Sequence, residues 1–320
     1  MKNKILQKDN NPFPFSDSNK RYYTYDYFLR KKFGKKICKL PLDIGCTCPN
    51  IDGTKSIGGC IYCSPRGSGD FAGQAGEPIE AQLSSAFGMM SAKWGNDIGC
   101  IPYFQAHTNT YGDPEYLSAM YRRALAFEGT VGISIATRAD CLGDEIVGIL
   151  RDLSKETFLT VELGLQSIHD LTADRINRAH SYEEFLRGYE KLCGLNVCVH
   201  IINGLPDEDH DMMIKTAKEI AILHPHALKI HLLHVLEHTK LGEMYKQGKV
   251  GTLSLDEYVR VVCDQLELLP PDVVIGRVTG DGAPDDLIAP LWSRKKLVVM
   301  NEIDKELYRR GSMQSAKWKS

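Results

Sequence analysis

The chain has 320 residues, of which 43% are hydrophobic and 25% charged, and its formal net charge is −2. This length and composition are typical of a globular protein with a large core, built as about two domains or one α/β barrel. No apolar run approaches the roughly 18 residues of a membrane span, and no apolar signal-peptide core follows the amino terminus. Ten cysteines without an export signal predict reduced thiols, a cytoplasmic location and no contact with a membrane.

The first predicted unit is a basic and aromatic segment at residues 1–37. Residues 1–40 contain 11 Lys or Arg against 3 Asp, a net charge of +8, and aromatic residues such as Tyr23 and Tyr25 alternate with Arg30 and Lys31. Aromatic rings can stack on bases while Lys and Arg neutralise phosphates, so the segment is a candidate for contact with nucleic acid. The same rings could instead pack on the body of the protein, and composition leaves both alternatives open.

A cysteine-rich loop follows the first strand signal, LPLDIG. It contains Cys48, Cys60 and Cys63, separated by a glycine-rich stretch that lets three thiolates converge on one side of an inorganic cofactor. Iron–sulfur clusters are commonly held by four cysteines and structural zinc by four ligands, so three thiolates would leave one metal position open. Cys46 offers a fourth thiol, and spacing alone leaves a four-cysteine zinc site as the alternative.

Beyond this loop, helix and strand signals alternate regularly. The predicted helices are 79–93, 114–127, 143–153, 181–193, 209–222 and 255–269. After LPLDIG, the predicted strands are 99–106, 131–136, 158–165, 196–203, 227–235 and 273–279. Helix-sized crossovers between the first six of these seven strands imply a parallel sheet, and six units are too few for a closed eight-stranded barrel. The predicted fold is α/β: an open partial (β/α)6 barrel at 38–240, followed by a C-terminal α/β extension at 241–320 that closes one side.

Polar residues stand at the carboxyl ends of five successive predicted strands, where parallel α/β proteins bind their ligands. In chain order they are Gln105, His107, Thr108, Asn109, Thr137, Arg138, Asp140, Glu162, Gln166, His200, Asn203, Gly204, Lys229, His231 and His234. A single histidine here is more often a core residue than a ligand. Glu162 and Lys229 are harder to dismiss, because a buried charge is costly unless it is paired or functional. The sequence therefore predicts the site at the barrel mouth.

The cysteine loop and four later motifs together resemble the radical S-adenosylmethionine enzymes. The motifs are ATRADC (136–141), VELGLQS (161–167), NRAH (177–180) and GLP (204–206), and the spacing C-x11-C-x2-C is similar to that of the Elongator catalytic subunit. The resemblance implies that Cys48, Cys60 and Cys63 hold a 4Fe–4S cluster whose open iron binds S-adenosylmethionine. It also implies a group of cofactor contacts, namely Tyr62, Gln105, Thr137, Arg138, Asp140, Glu162, Gln166, Arg178, His200, Asn203 and Gly204. Gln166 and Arg178 would bind the carboxylate of S-adenosylmethionine. The chain departs from the oxygen-independent coproporphyrinogen oxidase pattern at Ala136 and His200, which replace a Glu and an Asp.

Over nearly the whole chain the resemblance is to the YtqA (MnmL) group of Gram-positive bacteria, through stretches such as GSGDFAG (67–73), YFQAHTNT (103–110) and RVTGDG (277–282). That group implies a tRNA substrate, bound here through the basic N-terminal segment. It implies conversion of the carboxymethylaminomethyl side chain of the wobble uridine to aminomethyl, with an electron donor such as flavodoxin or ferredoxin. The candidates for holding the substrate carboxylate and exchanging protons are Lys229, His231, His234, Arg277 and Asp281. The alternatives are a radical oxidase of a tetrapyrrole or other small molecule, and a zinc-stabilised RNA-binding protein without catalysis.

Overall fold

The computed structural model describes residues 11–280, 282 and 285–319, and its centre is a curved sheet of seven parallel strands. In spatial order, which is also chain order, they are β1 (Lys36–Leu42), β2 (Ile98–Phe104), β3 (Gly132–Thr137), β4 (Phe158–Gln166), β5 (Asn196–Asn203), β6 (Ala227–Leu232) and β8 (Val274–Arg277). The short strands β7 (Val235–Leu236) and β9 (Leu287–Ala289) form a separate antiparallel pair. The predicted open α/β barrel is confirmed, and the strand predicted to close one side joins the sheet as its seventh member.

Helices connect the strands and cover the outer face of the sheet. They are α1 (Tyr25–Phe33), α2 (Ile79–Trp94), α3 (Pro114–Leu125), α4 (Asp144–Glu156), α5 (Asp170–Arg175), α6 (Tyr182–Lys191), α7 (His210–Leu223), α8 (Lys240–Lys246), α9 (Leu255–Leu268) and α10 (Lys296–Arg309). Capping boxes begin α6 at Ser181 and α9 at Ser254, where the serine hydroxyl accepts from the backbone N–H three residues later. None of the described helices is long and apolar enough to cross a membrane.

The first strand begins and ends earlier in the chain than its sequence signal predicted. The signal LPLDIG starts at Leu40, whereas β1 begins at Lys36 and ends at Leu42. Asp43 then turns the chain, because its carboxylate accepts a 2.9 Å hydrogen bond from the backbone N–H of Gly45. The earlier start places Lys39 inside the strand, where the alternation of side chains directs it toward the concave face of the sheet.

The N-terminal segment closes the amino end of the barrel. Phe28 on α1 lies with its ring centroid 5.9 Å from that of Phe158 and 5.1 Å from that of His226, at the starts of β4 and β6. Tyr22 is buried at 3% exposure, and Tyr25 lines the inner cavity. Phe28, Tyr22 and Tyr25 therefore pack on the barrel, which is the second of the two alternatives that composition left open. Residues 1–10, which carry part of the predicted basic charge, lie outside the described residues.

Candidate functional site

A cavity of about 560 Å³ fills the concave side of the sheet and opens at the carboxyl ends of the strands. That volume is in the usual range for small-ligand and cofactor sites. Residues predicted from sequence make up much of its lining, namely Cys48, Cys60, Tyr62, Cys63, Gln105, Thr137, Arg138, Glu162, Gln166, Arg178, His200, Lys229, His231, His234 and Arg277. The strand-end pattern therefore brings most of the predicted set to one cavity. Asp281, the remaining substrate candidate, lies outside the described residues.

Two asparagines, which sequence reasoning did not select, hold the cysteine loop against the barrel. Asn177 donates from Nδ2 to the carbonyl of Gly59 at 2.7 Å, immediately before Cys60. Asn50 donates from Nδ2 to the carbonyl of Asn177 at 2.5 Å and lies 3.5 Å from the Cys60 sulfur. The backbone N–H of Cys63 then donates to the Cys60 carbonyl at 3.0 Å, forming a tight turn. These bonds fix two of the three thiols relative to the strand ends.

The electrostatic environment of the loop favours a thiolate at Cys60. A hydrogen bond from Cys63 holds the pKa of the Cys60 thiol well below its usual value, with Arg178 and Arg138 adding to the effect against burial. Arg178 Nη1 lies 3.9 Å from the Cys60 sulfur. Cys46 is different, because burial, helped by Asp43, raises its pKa to about 12 and its side chain packs against the main core. Cys46 therefore stands apart from the other three thiols, which all line the cavity.

Gly164 makes room for the two side chains expected to bind the carboxylate of S-adenosylmethionine. A Cβ at Gly164 would lie 2.5 Å from Nε2 of Gln166 and 3.0 Å from Nη2 of Arg178. Gln166 has a positive φ of 73°, an uncommon backbone conformation for a side-chain-bearing residue that is typical of functional sites. Arg178 also donates from Nη2 to the Gly164 carbonyl. Within the described part of the chain its Nε is buried without a hydrogen-bond partner, so the guanidinium still has a donor available.

Asp140 contributes to the site indirectly. Its carboxylate binds Arg138 in a two-pronged contact, with Nε to Oδ1 at 2.9 Å and Nη2 to Oδ2 at 2.8 Å, and it also pairs with Lys55 at 2.9 Å. Burial opposes the charge, but these contacts outweigh it and hold the pKa of Asp140 well below its usual value. Arg138 in turn donates from Nη1 to the carbonyl of Arg178 at 3.0 Å. Asp140 thus orients Arg138, which lines the cavity while Asp140 does not.

Asn203 and Gly204 are predicted cofactor contacts that the structure does not bring to the cavity. The carboxamides of Asn203 and Gln265 exchange two hydrogen bonds of 2.8 Å, which tie β5 to α9 on the outer side of the sheet. Ile202 lines the cavity, so its neighbour Asn203 faces the other way. The backbone N–H of Gly204 lies 3.3 Å from the sulfur of Met213, on α7. Both residues therefore hold the outer helices in place.

A charged layer crosses the barrel interior below the cysteine loop, and Glu162 is at its centre. Its fully buried carboxylate accepts from Nζ of Lys39 and Nζ of Lys229, and from Nε2 of His200 at 2.9 Å. The ring of Tyr103 lies 4.7 Å from each of the two ammonium groups. Strand register assembles this layer, because His200 pairs with Lys229 and Lys229 with Arg277 on neighbouring strands. Sequence reasoning missed Lys39 and Tyr103.

Lys39 and Lys229 share one carboxylate, but their pKa values shift in opposite directions. Burial lowers the pKa of Lys229 to about 8, even though Glu162 opposes this shift. Burial acts in the same direction on Lys39, but there the attraction of Glu162 outweighs it and the pKa rises. Burial, with the charge of Lys229, lowers the pKa of His200 to about 4, so this imidazole is neutral. Because Nε2 of His200 donates to Glu162, its Nδ1 carries the lone pair.

Comparison with known proteins identifies the family. The Radical SAM superfamily model matches residues 56–220 and the Radical_SAM C-terminal domain model matches residues 225–309. The uncharacterized protein YtqA of Bacillus subtilis is 50% identical over 307 residues, covering 95% of each chain. A tRNA uridine(34) acetyltransferase of Methanocaldococcus jannaschii is 29% identical over 156 residues, which are 47% of this chain and 28% of that protein.

Among solved structures, the archaeal Elp3 of Methanocaldococcus infernus superposes with a TM-score of 0.63 at 19% identity, covering 87% of this chain and 64% of that one. At this identity the match shows the shared fold alone. The family-model and YtqA matches show that the chain belongs to the radical S-adenosylmethionine superfamily. It is therefore an enzyme whose cofactors are a 4Fe–4S cluster and S-adenosylmethionine, as the sequence predicted, and the zinc-protein alternative is wrong.

Proposed function

We propose that this radical S-adenosylmethionine enzyme acts on the wobble uridine of tRNA and converts its carboxymethylaminomethyl side chain to aminomethyl. A tRNA substrate is supported by the relative named as a tRNA uridine(34) acetyltransferase, which matches 47% of this chain. The similarity to YtqA supports the same group of enzymes through the chain's GSGDFAG, YFQAHTNT and RVTGDG stretches. The choice of side chain comes from the resemblance to the YtqA group, and the chemistry of the cavity supports it.

The observation that carries the choice is the excess of cations around Glu162. Lys39 and Lys229 share that single carboxylate. A second carboxylate entering the cavity would relieve the repulsion between the ammonium groups and accept charge-assisted hydrogen bonds from them. The carboxymethylaminomethyl side chain ends in such a carboxylate, whereas its aminomethyl product ends in an amine, which these cations would repel.

The residues present suit the two cofactors. The cluster would be held by Cys48, Cys60 and Cys63. The carboxylate of S-adenosylmethionine would be bound by Gln166 and Arg178, and its adenine would pack near Tyr62. The available donor at Arg178 Nε and the lowered pKa of the Cys60 thiol fit an anionic ligand beside a metal-bound thiolate. When bound, this cofactor pair supplies a 5′-deoxyadenosyl radical that removes a hydrogen atom from the substrate.

The protein's own contribution is to hold the substrate and exchange protons. The pKa of Lys229 is about 8, which is close to neutral pH. A group with a pKa near the working pH can both donate and accept a proton during the reaction. We assign Lys229 the proton exchange at the side-chain nitrogen when the carboxymethyl group leaves: removal of a hydrogen atom from the CH2 and transfer of one further electron to a one-electron acceptor would give an imine, and water would hydrolyse it to glyoxylate and the aminomethyl product. His231 lies beside His200 with ring centroids 5.2 Å apart, and its buried Nε2 has no partner among the described residues, so it can bind a substrate oxygen.

The test is an anaerobic reaction of the reconstituted enzyme with S-adenosylmethionine, a reductant such as reduced flavodoxin, and tRNA from cells lacking this gene. Mass spectrometry of nucleosides should show loss of the carboxymethylaminomethyl form, gain of the aminomethyl form, and 5′-deoxyadenosine that rises with tRNA. A tRNA whose carboxylate has been converted to its methyl ester should not react. An amount of 5′-deoxyadenosine that does not change when tRNA is added would contradict the proposal. Turnover of the methyl ester at the rate of the free carboxylate would contradict the argument that the cations bind the substrate carboxylate.

Variants separate the substrate site from the cofactor site. Lys229→Met should abolish nucleoside conversion while the iron content and the visible spectrum of the cluster stay at wild-type values. The matched control is Lys215→Met, at an exposed lysine on α7, which should behave as wild type. Full conversion by Lys229→Met would exclude the role given to this lysine.

A further inference from the structure

We propose that Phe71, on the rim of the cavity, is a stacking platform for the base of the target nucleotide. Phe71 lines the cavity, yet its side chain is 51% exposed to solvent. The inference rests on the proposed function, because it needs an RNA substrate whose base enters the cavity mouth. Sequence analysis singled out the surrounding GSGDFAG stretch without assigning it a role.

The loop that carries Phe71 is held firmly on both sides. Gln105 donates from Nε2 to the carbonyl of Ser68 at 2.6 Å, and the backbone N–H of His107 donates to that of Gly67 at 2.9 Å. On the far side, Arg66 donates from Nη2 to the carbonyl of Gly73 at 2.7 Å. These bonds anchor the loop to the end of β2 and fix the backbone on either side of Phe71.

Close packing under the loop removes the freedom to bury the ring. Gly67 lies so near His107 that a Cβ there would be 2.3 Å from the ring Nδ1. The loop is therefore pressed onto the β2 end by backbone contact, while the largest apolar side chain of the stretch remains at the surface. A single exposed apolar side chain is common at a protein surface, but Phe71 also belongs to the cavity lining, so its ring is available to a ligand that enters the mouth.

The position of the ring suits a nucleobase. If the side-chain carboxylate of the substrate reaches the charged layer at Glu162 and Lys229, the uracil ring must lie nearer the mouth, where Phe71 stands. Enzymes that modify a base take it out of its stack and read it in part by stacking on aromatic side chains. Phe71 would replace the stacking that the wobble base loses within the anticodon loop.

The expected effect follows from the usual contribution of base–aromatic stacking, which corresponds to a loss of affinity of about 5- to 150-fold on truncation. Phe71→Ala in the reconstituted holoenzyme should weaken binding of a carboxymethylaminomethyl-modified anticodon stem–loop by that factor, measured by fluorescence anisotropy. The iron content and visible spectrum of the Phe71→Ala holoenzyme should stay at wild-type values, which would show that the variant is folded and holds its cluster. Trp94→Ala is the matched control, because Trp94 is an aromatic residue with the same 51% exposure that lies outside the cavity lining. It should bind RNA as wild type does.

A second variant reports stacking directly. In Phe71→Trp, binding of the stem–loop should quench indole fluorescence relative to wild type, and a stem–loop lacking only the wobble base should bind without this quench. Wild-type affinity in Phe71→Ala, or equal quenching by the abasic RNA, would overturn the assignment of Phe71 while leaving the proposed function intact. Failure of the wild-type holoenzyme to bind the modified stem–loop would overturn both, and it is seen before any variant is made.

Discussion

Replacing Glu162 by Gln should destabilise the protein far more than its conservative shape suggests. The carboxylate is fully buried and is the shared partner of Lys39 and Lys229, so its loss leaves two ammonium groups facing each other in the barrel. Removing one partner of a buried ion pair costs roughly 3–5 kcal/mol, because the remaining charge is uncompensated. We expect a decrease of that size in the free energy of unfolding of the apo-protein at pH 7, measured by urea denaturation.

The pH dependence of this penalty tests its cause. Lys229 has a folded-state pKa of about 8, below its usual 10.5, so the unfolded chain binds more protons between these values. Its contribution to stability therefore becomes more favourable as pH rises through 8, by up to about 1.4 kcal/mol per pH unit. Without Glu162 the pKa of Lys229 falls further, so the free energy of unfolding of the variant begins to increase at a lower pH than that of the wild type. The penalty of Glu162→Gln should accordingly be larger at pH 6 than at pH 9.

Two controls complete the experiment. Glu156→Gln removes an exposed partner of Arg122 and should change the free energy of unfolding by less than about 1 kcal/mol. Adding Lys229→Met to Glu162→Gln removes one uncompensated charge and should recover part of the loss. A Glu162→Gln protein within about 1 kcal/mol of wild type, or a penalty that is the same at pH 6 and pH 9, would refute the description of this layer as a charge-paired network.

Two further predictions concern residues that the structure places apart from the cavity. Cys46→Ala should keep wild-type iron content and cluster absorbance after reconstitution, whereas Cys60→Ala should lose both; iron loss in Cys46→Ala would show that it is a ligand after all. Asn203→Ala and Gln265→Ala should each lower the free energy of unfolding by about 1–3 kcal/mol, because each leaves a buried amide unpaired. The double variant should cost less than their sum, with an unchanged KM for S-adenosylmethionine; a raised KM in Asn203→Ala would restore its predicted role.

Alternation of strand and helix signals was sufficient to predict the open parallel barrel, and the strand-end rule was sufficient to collect Arg138 and Gln166 at one site, whereas Arg178 came only from the family resemblance of the NRAH motif. The first two residues lie at the ends of neighbouring elements, so chain order alone brings them together. Asn203 shows the limit of that rule. Side chains alternate along a strand, and since His200 and Ile202 face the cavity, Asn203 faces the helices. Counting alternate positions along β5 from His200 would have excluded Asn203 as a cavity residue from the sequence alone.

Lys39 could not be found in the same way. It was counted only in the basic charge of residues 1–40, just before the strand signal LPLDIG, and only the earlier start of β1 shows that it points into the barrel. Its partner Glu162 is 123 residues away, and nothing local links the two. The role of the aromatic residues was undecided for a different reason, because stacking on bases and packing on a barrel require the same residue types.

The packing of α1 and the chemistry of the charged layer are connected. A half-barrel leaves the amino ends of its strands open, and water entering there would screen the attraction between Glu162 and the two lysines. Tyr25 covers that end, with its ring centroid 5.0 Å from the Nζ of Lys39, and it is itself half-buried. Closure preserves the lowered pKa of Lys229 and keeps water away from radical chemistry above it. The N-terminal helix therefore borders the cavity through Tyr25, which covers the charged layer from the amino end of the strands.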